Sequence, residues 1–107
     1  MELNQYEIVL VNLDPTIGSE AQKTRPCVIL SPNEMNRNIR TVVIAAITSS
    51  SKNYPTRIEI KDNSTKGWVM IDQIRTIDKQ RIMKNFGKIS ENDSKKIKEV
   101  IKETFVD

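Results

Sequence analysis

The chain has 107 residues, of which 37% are hydrophobic and 29% are charged. We expect residues 1–107 to form a single domain, because a second core would need on the order of 100 further residues. The hydrophobic fraction and the few Gly and Pro residues exclude a disordered or low-complexity chain. No apolar run approaches the roughly 20 residues of a membrane span, and the N-terminus lacks a signal-peptide pattern, so we expect a cytoplasmic protein without membrane contact.

Histidine is absent from the sequence, which removes the commonest metal ligand and the commonest general base. The carboxylates are scattered singly, without the clustering typical of a magnesium site, although a cluster formed in space stays open. We therefore expect no metal and no cofactor. The net charge is +3, but residues 23–90 carry thirteen Lys or Arg against five acids. This basic middle suits a phosphate backbone or an acidic protein partner, and it also fits a surface of solvated lysines.

The first half of the chain predicts three strands. Residues 6–11 are rich in β-branched and aromatic side chains and predict a strand buried on both faces. A long polar loop, residues 14–24, follows and is a candidate functional loop. Residues 26–31 predict a second strand, in which Cys27 is expected to be a buried, structural thiol. Residues 41–47 predict a third strand in the core.

The second half predicts more strands and then helical structure. Residues 56–60 alternate charged and apolar side chains, which predicts a half-exposed strand. A turn leads into a further strand over residues 68–76. Residues 79–85 are short and polar, and they predict one or two helical turns ended by Gly87.

A longer amphipathic helix is predicted at the C-terminal end. Ser90 is its expected N-cap, with Asp93 three residues later as a capping-box variant. Its apolar face, expected to pack on the strands, comprises Ile97, Val100, Ile101, Thr104 and Phe105. Five or six short strands followed by one such helix predict a mostly β fold, a small antiparallel barrel with a C-terminal α-helix.

Several separated motifs resemble the MazF/PemK toxin family, in the same order and at similar spacing. They are residues 8–20 (IVLVNLDPTIGSE), Thr24-Arg25-Pro26, residues 41–49 (TVVIAAITS), Tyr54-Pro55 and residues 72–81 (DQIRTIDKQR). The resemblance covers nearly the whole chain, and several motifs in register are far more specific than any one of them.

The resemblance implies an SH3-like barrel that forms a homodimer and is held inactive by an acidic antitoxin protein. It also implies metal-independent cleavage of single-stranded RNA, such as mRNA, at short sequence motifs. The family's catalytic Arg before Pro and Thr at the end of a core strand match Arg25 and Thr48. The implied products are a 2′,3′-cyclic phosphate or 3′-phosphate and a 5′-hydroxyl, which makes the RNA's own 2′-hydroxyl the nucleophile.

The chemistry of Arg25 and Thr48 suits stabilisation of charge. A guanidinium can donate to two non-bridging phosphate oxygens at once, and Pro26 restricts Arg25 to an extended backbone. The β-branched Thr48 keeps its hydroxyl donor in a narrow range of directions. Arg stays protonated and a Thr hydroxyl is a poor base, so the proton acceptor stays open. Glu20, the nearest carboxylate in sequence, is predicted to be the base or to orient Arg25.

Other side chains around this pair are predicted to bind RNA. They are Gly18, Ser19, Lys23, Thr24, Ser49, Gln73 and Arg75. Asp72 belongs to the same strand-end motif as Gln73, and its predicted contact is RNA or a second subunit. Trp68 and Tyr54 are able to stack on bases, but a single Trp in an apolar strand is more often part of the core or of a dimer interface, so we assign neither to catalysis.

Two other functions fit the same fold pattern, since a fold does not fix a function. One is a non-enzymatic poison resembling the CcdB group, which binds DNA gyrase. The other is an SH3-like module that binds RNA or a peptide and cuts nothing. The Arg-Pro and Ile-Thr-Ser motifs favour RNA cleavage, and residues 104–107 lack the Trp-Gly-Ile ending of the gyrase poisons.

Overall fold

The computed structural model describes residues 2–13, 24–61 and 66–106. Within these ranges the strands are β1 (Glu7–Asn12), β2 (Thr24–Ile29), β3 (Thr41–Thr48), β4 (Arg57–Ile60), β5 (Gly67–Asp78) and β6 (Ile82–Lys88). The α-helices are α1 (Asn33–Asn38) and α2 (Glu91–Ile101). The predicted mostly β fold with a C-terminal helix is confirmed.

The strands form one antiparallel sheet with the spatial order β4-β5-β3-β2-β1-β6. Irregularities interrupt the β1–β6 and β3–β5 registers, and such bulges bend and twist a sheet. In the described part of the chain no pairing joins β4 to β6. The hydrogen bonding of the predicted barrel is therefore open at these two edge strands.

Both faces of the sheet bury apolar side chains, which explains the unbroken apolar run in β3. Neighbouring residues of a strand point to opposite faces, so Ile8 joins one cluster while Val9 and Val11 join the other, as predicted for this strand. The helix-side cluster receives Ile97 from α2. The opposite cluster includes Val9, Val11, Cys27, Ile44, Ala46 and Met70.

Helix α2 begins after Ser90, as the sequence predicts, but it ends at Ile101, before the last residues of the predicted apolar face. The Ser90 hydroxyl accepts from the Asp93 N–H at 3.1 Å, which confirms the N-cap. Val100 and Ile101 pack against the helix-side cluster, but Thr104 and Phe105 are exposed, so their predicted packing is wrong. The reason is a π-helical turn at Lys102–Val106, whose wider winding moves side chains off the apolar face.

The segment predicted as one or two helical turns ended by Gly87 contains only one short turn. A 3₁₀ turn spans Lys79–Arg81, where the Asp78 side chain accepts from the Gln80 N–H. For residues 82–87 the predicted helical turns are wrong, because these residues belong to β6, whose backbone pairs with β1. Gly87 lies inside β6 with φ of 97°, a left-handed conformation that glycine adopts without strain.

The short helix α1 was not predicted from the sequence. The side chain of the buried Asn36 bonds to Ser31, accepting from its hydroxyl and donating to its carbonyl at 3.0 Å. The Ser31 hydroxyl also accepts from the Val43 N–H of β3 at 3.1 Å. Polar bonds therefore hold α1 to the sheet, and such bonds leave no apolar periodicity to detect. None of the helices in the described ranges is long and apolar enough to cross a membrane.

Candidate active site

The pairing of β2 with β3 brings Arg25 and Thr48 to the same end of the sheet. Cys27 pairs with Ala46 in an antiparallel register. Arg25 lies two residues before Cys27 in β2, and Thr48 lies two residues after Ala46 in β3, so the antiparallel direction carries both residues to the same end of the strand pair. Both side chains follow the face of the opposite cluster, since Cys27 and Ala46 belong to it. Residues 23 apart in sequence thus become neighbours.

Arg25 and Thr48 line one small pocket. Its volume is about 230 Å³, and its lining consists of Arg25, Pro26, Ile47, Thr48, Ser49 and Lys66. Two of these residues, Arg25 and Lys66, are cationic, and two, Thr48 and Ser49, carry hydroxyls, a set of donors that suits a phosphate group. Lys66 was missed from the sequence, because a lysine before a glycine turn carries no signal of its own.

The backbone at Arg25 is extended, as the following proline predicts. Arg25 lies in β2, opposite Val11 of β1, and Pro26 lies opposite Leu10. The side chain of Arg25 is exposed to solvent, whereas the next residue but one, Cys27, is fully buried. Arg25 therefore offers a solvent-accessible side chain to the pocket from a strand that is buried from Cys27 onward.

The hydroxyl of Thr48 already has a partner within the chain. It donates to the Ser50 carbonyl at 3.1 Å, in the turn that follows β3. The backbone of β5 also approaches closely at this point, because Gly67 has no side chain. A Cβ atom at residue 67 would lie 2.5 Å from the Thr48 carbonyl oxygen and 2.7 Å from Ile47 Cγ2. The position of Thr48 thus depends on the turn after it and on Gly67 beside it.

The buried thiol of Cys27 lies near two cations. Burial raises the pKa of Cys27 to about 12, and the positive charges of Arg25 and Arg75 oppose this rise only partly. The thiol therefore stays protonated at neutral pH and is no nucleophile, in agreement with its predicted structural role. Arg75 lies opposite Ile44 in β3, four residues from Thr48, which is about 13 Å along a strand.

Asp72 forms a tight ion pair that the sequence did not predict. Its two carboxylate oxygens accept from Arg57 Nε at 2.8 Å and Nη2 at 3.0 Å, and one of them also accepts from the Thr56 hydroxyl at 3.0 Å. The hydrogen bonds from Arg57 are the main reason why the pKa of Asp72 falls to about 2. The Arg57 guanidinium also lies 5.4 Å from the centre of the Tyr54 ring.

The other predicted site residues divide into three groups. Ser49 lines the pocket, and Thr24 is exposed beside Arg25 at the start of β2. Gln73 and Arg75 are exposed on β5 and are absent from the pocket lining. The predicted residues outside the described part of the chain are Gly18, Ser19, Glu20 and Lys23. Within the described ranges, no three Cys, Asp or Glu side chains come together as potential metal ligands.

Comparison with known proteins shows the family. A model of the PemK-like, MazF-like toxins of type II toxin–antitoxin systems matches residues 4–105. The chain belongs to the PemK/MazF toxin family. It is 35% identical over 104 residues to an endoribonuclease MazF of Staphylococcus saprophyticus, a match that covers 92% of this chain and 84% of the relative.

Solved structures similar to this member of the PemK/MazF family share its fold. One is a mycobacterial endoribonuclease in complex with its cognate antitoxin, with a TM-score of 0.85 and 20% identity over 97% of this chain and 95% of that one. Another is MazF from Deinococcus radiodurans, with a TM-score of 0.84 and 20% identity over 100% and 99% of the two chains. The protein is thus a MazF-type endoribonuclease toxin.

Proposed function

We propose that this PemK/MazF toxin cuts single-stranded RNA at short sequence motifs without a metal ion, by attack of the RNA's own 2′-hydroxyl. The observation that carries the proposal is the pocket of about 230 Å³ at the end of β2 and β3, which is lined by Arg25 and Lys66 and by the hydroxyl residues Thr48 and Ser49. The products are then a 2′,3′-cyclic phosphate, or the 3′-phosphate formed from it, and a 5′-hydroxyl.

Arg25 and Thr48 stabilise the charge that forms during this attack. As the 2′-oxygen bonds to phosphorus, negative charge grows on the non-bridging oxygens, and the Arg25 guanidinium donates to two of them. The Thr48 hydroxyl donates to the same oxygens after exchanging the Ser50 carbonyl for one of them. Lys66 adds a second positive charge at the pocket. Ser49 and Thr24 bind the neighbouring RNA backbone.

The attacking 2′-hydroxyl also has to lose a proton. Asp72 is a poor acceptor, because Arg57 holds its carboxylate and lowers its pKa to about 2. No carboxylate belongs to the described lining of the pocket. Glu20 therefore remains the proposed base, and an unchanged acidic limb of the pH–rate profile in Glu20→Gln would remove it from that role. Gly18, Ser19 and Lys23 of the same segment, together with Gln73 and Arg75, are proposed to bind RNA.

The proposed partners are a second copy of the chain and an acidic antitoxin, in a cytoplasmic setting. The basic middle of the sequence suits an acidic inhibitor as well as RNA, and a relative of the same fold is known in complex with its antitoxin. For the homodimer, the edge strand β6 exposes Met83 and Phe86, apolar side chains that a second copy would cover. Sedimentation of the purified protein as a monomer at micromolar concentration would contradict the dimer.

The nucleophile is tested by comparing RNA with DNA of the same sequence. In excess EDTA we expect a long, mixed-sequence single-stranded RNA to be cut, and the DNA to stay intact because it lacks the 2′-hydroxyl. The new 5′ ends should accept a labelled phosphate from a polynucleotide kinase without prior phosphatase treatment. Cleavage of the DNA, or 5′-phosphate ends, would contradict the mechanism. Intact RNA would favour the gyrase poison or the binding module instead, and mapped 5′ ends would give the target motif.

A further inference from the structure

We propose that Arg57 is a positioning residue for Thr48, acting through the turn that joins β3 to β4. This inference rests on the proposed function for its effect on catalysis. Arg57 stands outside the pocket formed by Arg25 and Thr48. It nevertheless contacts the same turn whose carbonyl accepts the hydrogen bond of the Thr48 hydroxyl.

Arg57 is held on one side by Asp72 of β5. Asp72 accepts two parallel hydrogen bonds from Arg57 Nε and Nη2, at 2.8 and 3.0 Å. Paired bonds of this kind fix the plane of the guanidinium as well as its position. The Arg57 side chain is only 16% exposed, and the Tyr54 ring lies 5.4 Å from it. The anchored guanidinium therefore has little freedom to move.

On its other side, Arg57 contacts the turn that joins β3 to β4. The remaining nitrogen, Arg57 Nη1, donates to the Ser51 hydroxyl oxygen at 3.1 Å. That hydroxyl uses its own proton to bond the Lys52 carbonyl at 2.8 Å, so it meets Arg57 as an acceptor. Ser51 is thereby fixed from both sides. The preceding residue, Ser50, carries the carbonyl that accepts from Thr48 at 3.1 Å.

The consequence concerns the direction of the Thr48 hydroxyl before RNA binds. Because Asp72 holds Arg57 and Arg57 holds Ser51, the Ser50 carbonyl stays at one distance from Thr48. A single side-chain rotamer of Thr48 is then favoured, so its hydroxyl oxygen is already in place when a phosphate arrives and only the hydroxyl proton has to turn from the Ser50 carbonyl to the phosphate. Without Arg57 the turn moves, and the Thr48 hydroxyl samples several rotamers.

The first test measures this rotamer without using activity. We expect the NMR couplings of the Thr48 γ-methyl carbon to the backbone to show one χ1 rotamer in the wild-type protein. Arg57→Ala and Ser51→Ala should show averaged couplings, and Arg57→Lys an intermediate result, since lysine cannot form the paired bonds. The matched control is Arg40→Ala, which removes an ion-paired arginine at the far end of β3 and should leave the couplings unchanged. A single Thr48 rotamer in Arg57→Ala would overturn the proposal.

The second test uses RNA cleavage. Arg57→Ala and Ser51→Ala should each lower kcat on the order of 10-fold with little change in KM, whereas Arg40→Ala should leave kcat unchanged. If Arg57 acts through the Thr48 hydroxyl, Arg57→Ala should cause no further loss in a Thr48→Val background. Additive losses would mean that Arg57 acts elsewhere and would overturn the proposal. If the wild type cuts no RNA, the proposed function fails, and the rotamer measurement alone decides whether Arg57 positions Thr48.

Discussion

Arg25 and Thr48 are held in different ways, although they share one pocket. Arg25 extends from a strand whose next residue but one, Cys27, is fully buried, and its own side chain stays exposed to solvent. Thr48 has a short side chain whose hydroxyl is bonded to the turn at Ser50. Arg25 is therefore suited to capture a phosphate from solvent, and Thr48 adds one hydroxyl whose oxygen is held in place by its bond to the Ser50 carbonyl.

The ion pair between Asp72 and Arg57 predicts a pH dependence of stability. The folded pKa of Asp72, about 2, is below the ordinary value of about 3.9 for an Asp side chain. The stabilisation is thus complete above about pH 4 and is lost as the pH falls toward 2. We expect wild-type stability, measured by urea unfolding, to fall more between pH 4 and pH 2 than that of Asp72→Asn.

A matched control for this measurement is Asp78→Asn. Asp78 pairs with Arg40 through a single contact of 3.6 Å, and the Arg40 side chain is 81% exposed. Such an exposed pair contributes little. The curve of Asp78→Asn should therefore follow that of the wild type, and equal curves for Asp72→Asn and the wild type would contradict the role of the Asp72 ion pair.

At the scale of the elements, the site depends on how closely β5 approaches the end of β3. Thr48 pairs with Trp68, the residue after Gly67, so the start of β5 lies directly beside the pocket. Lys66, which lines the pocket, precedes Gly67 in the chain. A displacement of this strand would move both Thr48 and Lys66.

The variant Gly67→Ala tests this arrangement. Its new Cβ would lie 2.5 Å from the Thr48 carbonyl oxygen, so the backbone of β3 or β5 has to shift. We expect a loss of about 1–3 kcal/mol in the free energy of unfolding, together with a clear fall in kcat for RNA cleavage.

Gly87→Ala is the matched control for this change. A Cβ at residue 87 meets nothing within 4 Å, but its φ of 97° is strained for alanine, which costs on the order of 1–3 kcal/mol. It should destabilise the protein without lowering kcat. Equal effects of both variants on kcat would show that stability alone, and not the position of Thr48, controls activity.

At the scale of the whole molecule, the sequence predicts those features that follow from local patterns. Alternating and continuous apolar runs predicted β1 to β5, and the Ser90 cap predicted the start of α2. Strand β6 was not predicted, because its residues are polar and favour helical turns, whereas the structure pairs them with β1, which is distant in sequence. Helix α1 was not predicted because its six residues hold one apolar side chain, Met35, and hydrogen bonds of Asn36 and Ser31 attach it to the sheet.

The candidate site could be predicted only in part, for the same reason. Family motifs identified Arg25 and Thr48, and the register of β2 and β3 then places them together. Lys66 and Arg57 belong to no such motif, because their neighbours in space are distant in sequence. The pairing of Asp72 with Arg57 joins residues on two strands, and no spacing rule in one sequence reveals it.

We propose that Arg25 and Thr48 stabilise the charge on the reacting phosphate without a metal ion. The single-turnover rate of RNA cleavage in excess EDTA tests this role in the wild type, Arg25→Ala and Thr48→Val, with folding checked by circular dichroism. We expect wild-type cleavage to persist in EDTA and each variant to lose on the order of 10²–10³-fold in rate while staying folded. A folded Arg25→Ala protein that cuts RNA at the wild-type rate would contradict the role of Arg25, and wild-type activity that disappears with EDTA and returns with a divalent metal would contradict metal-independent cleavage.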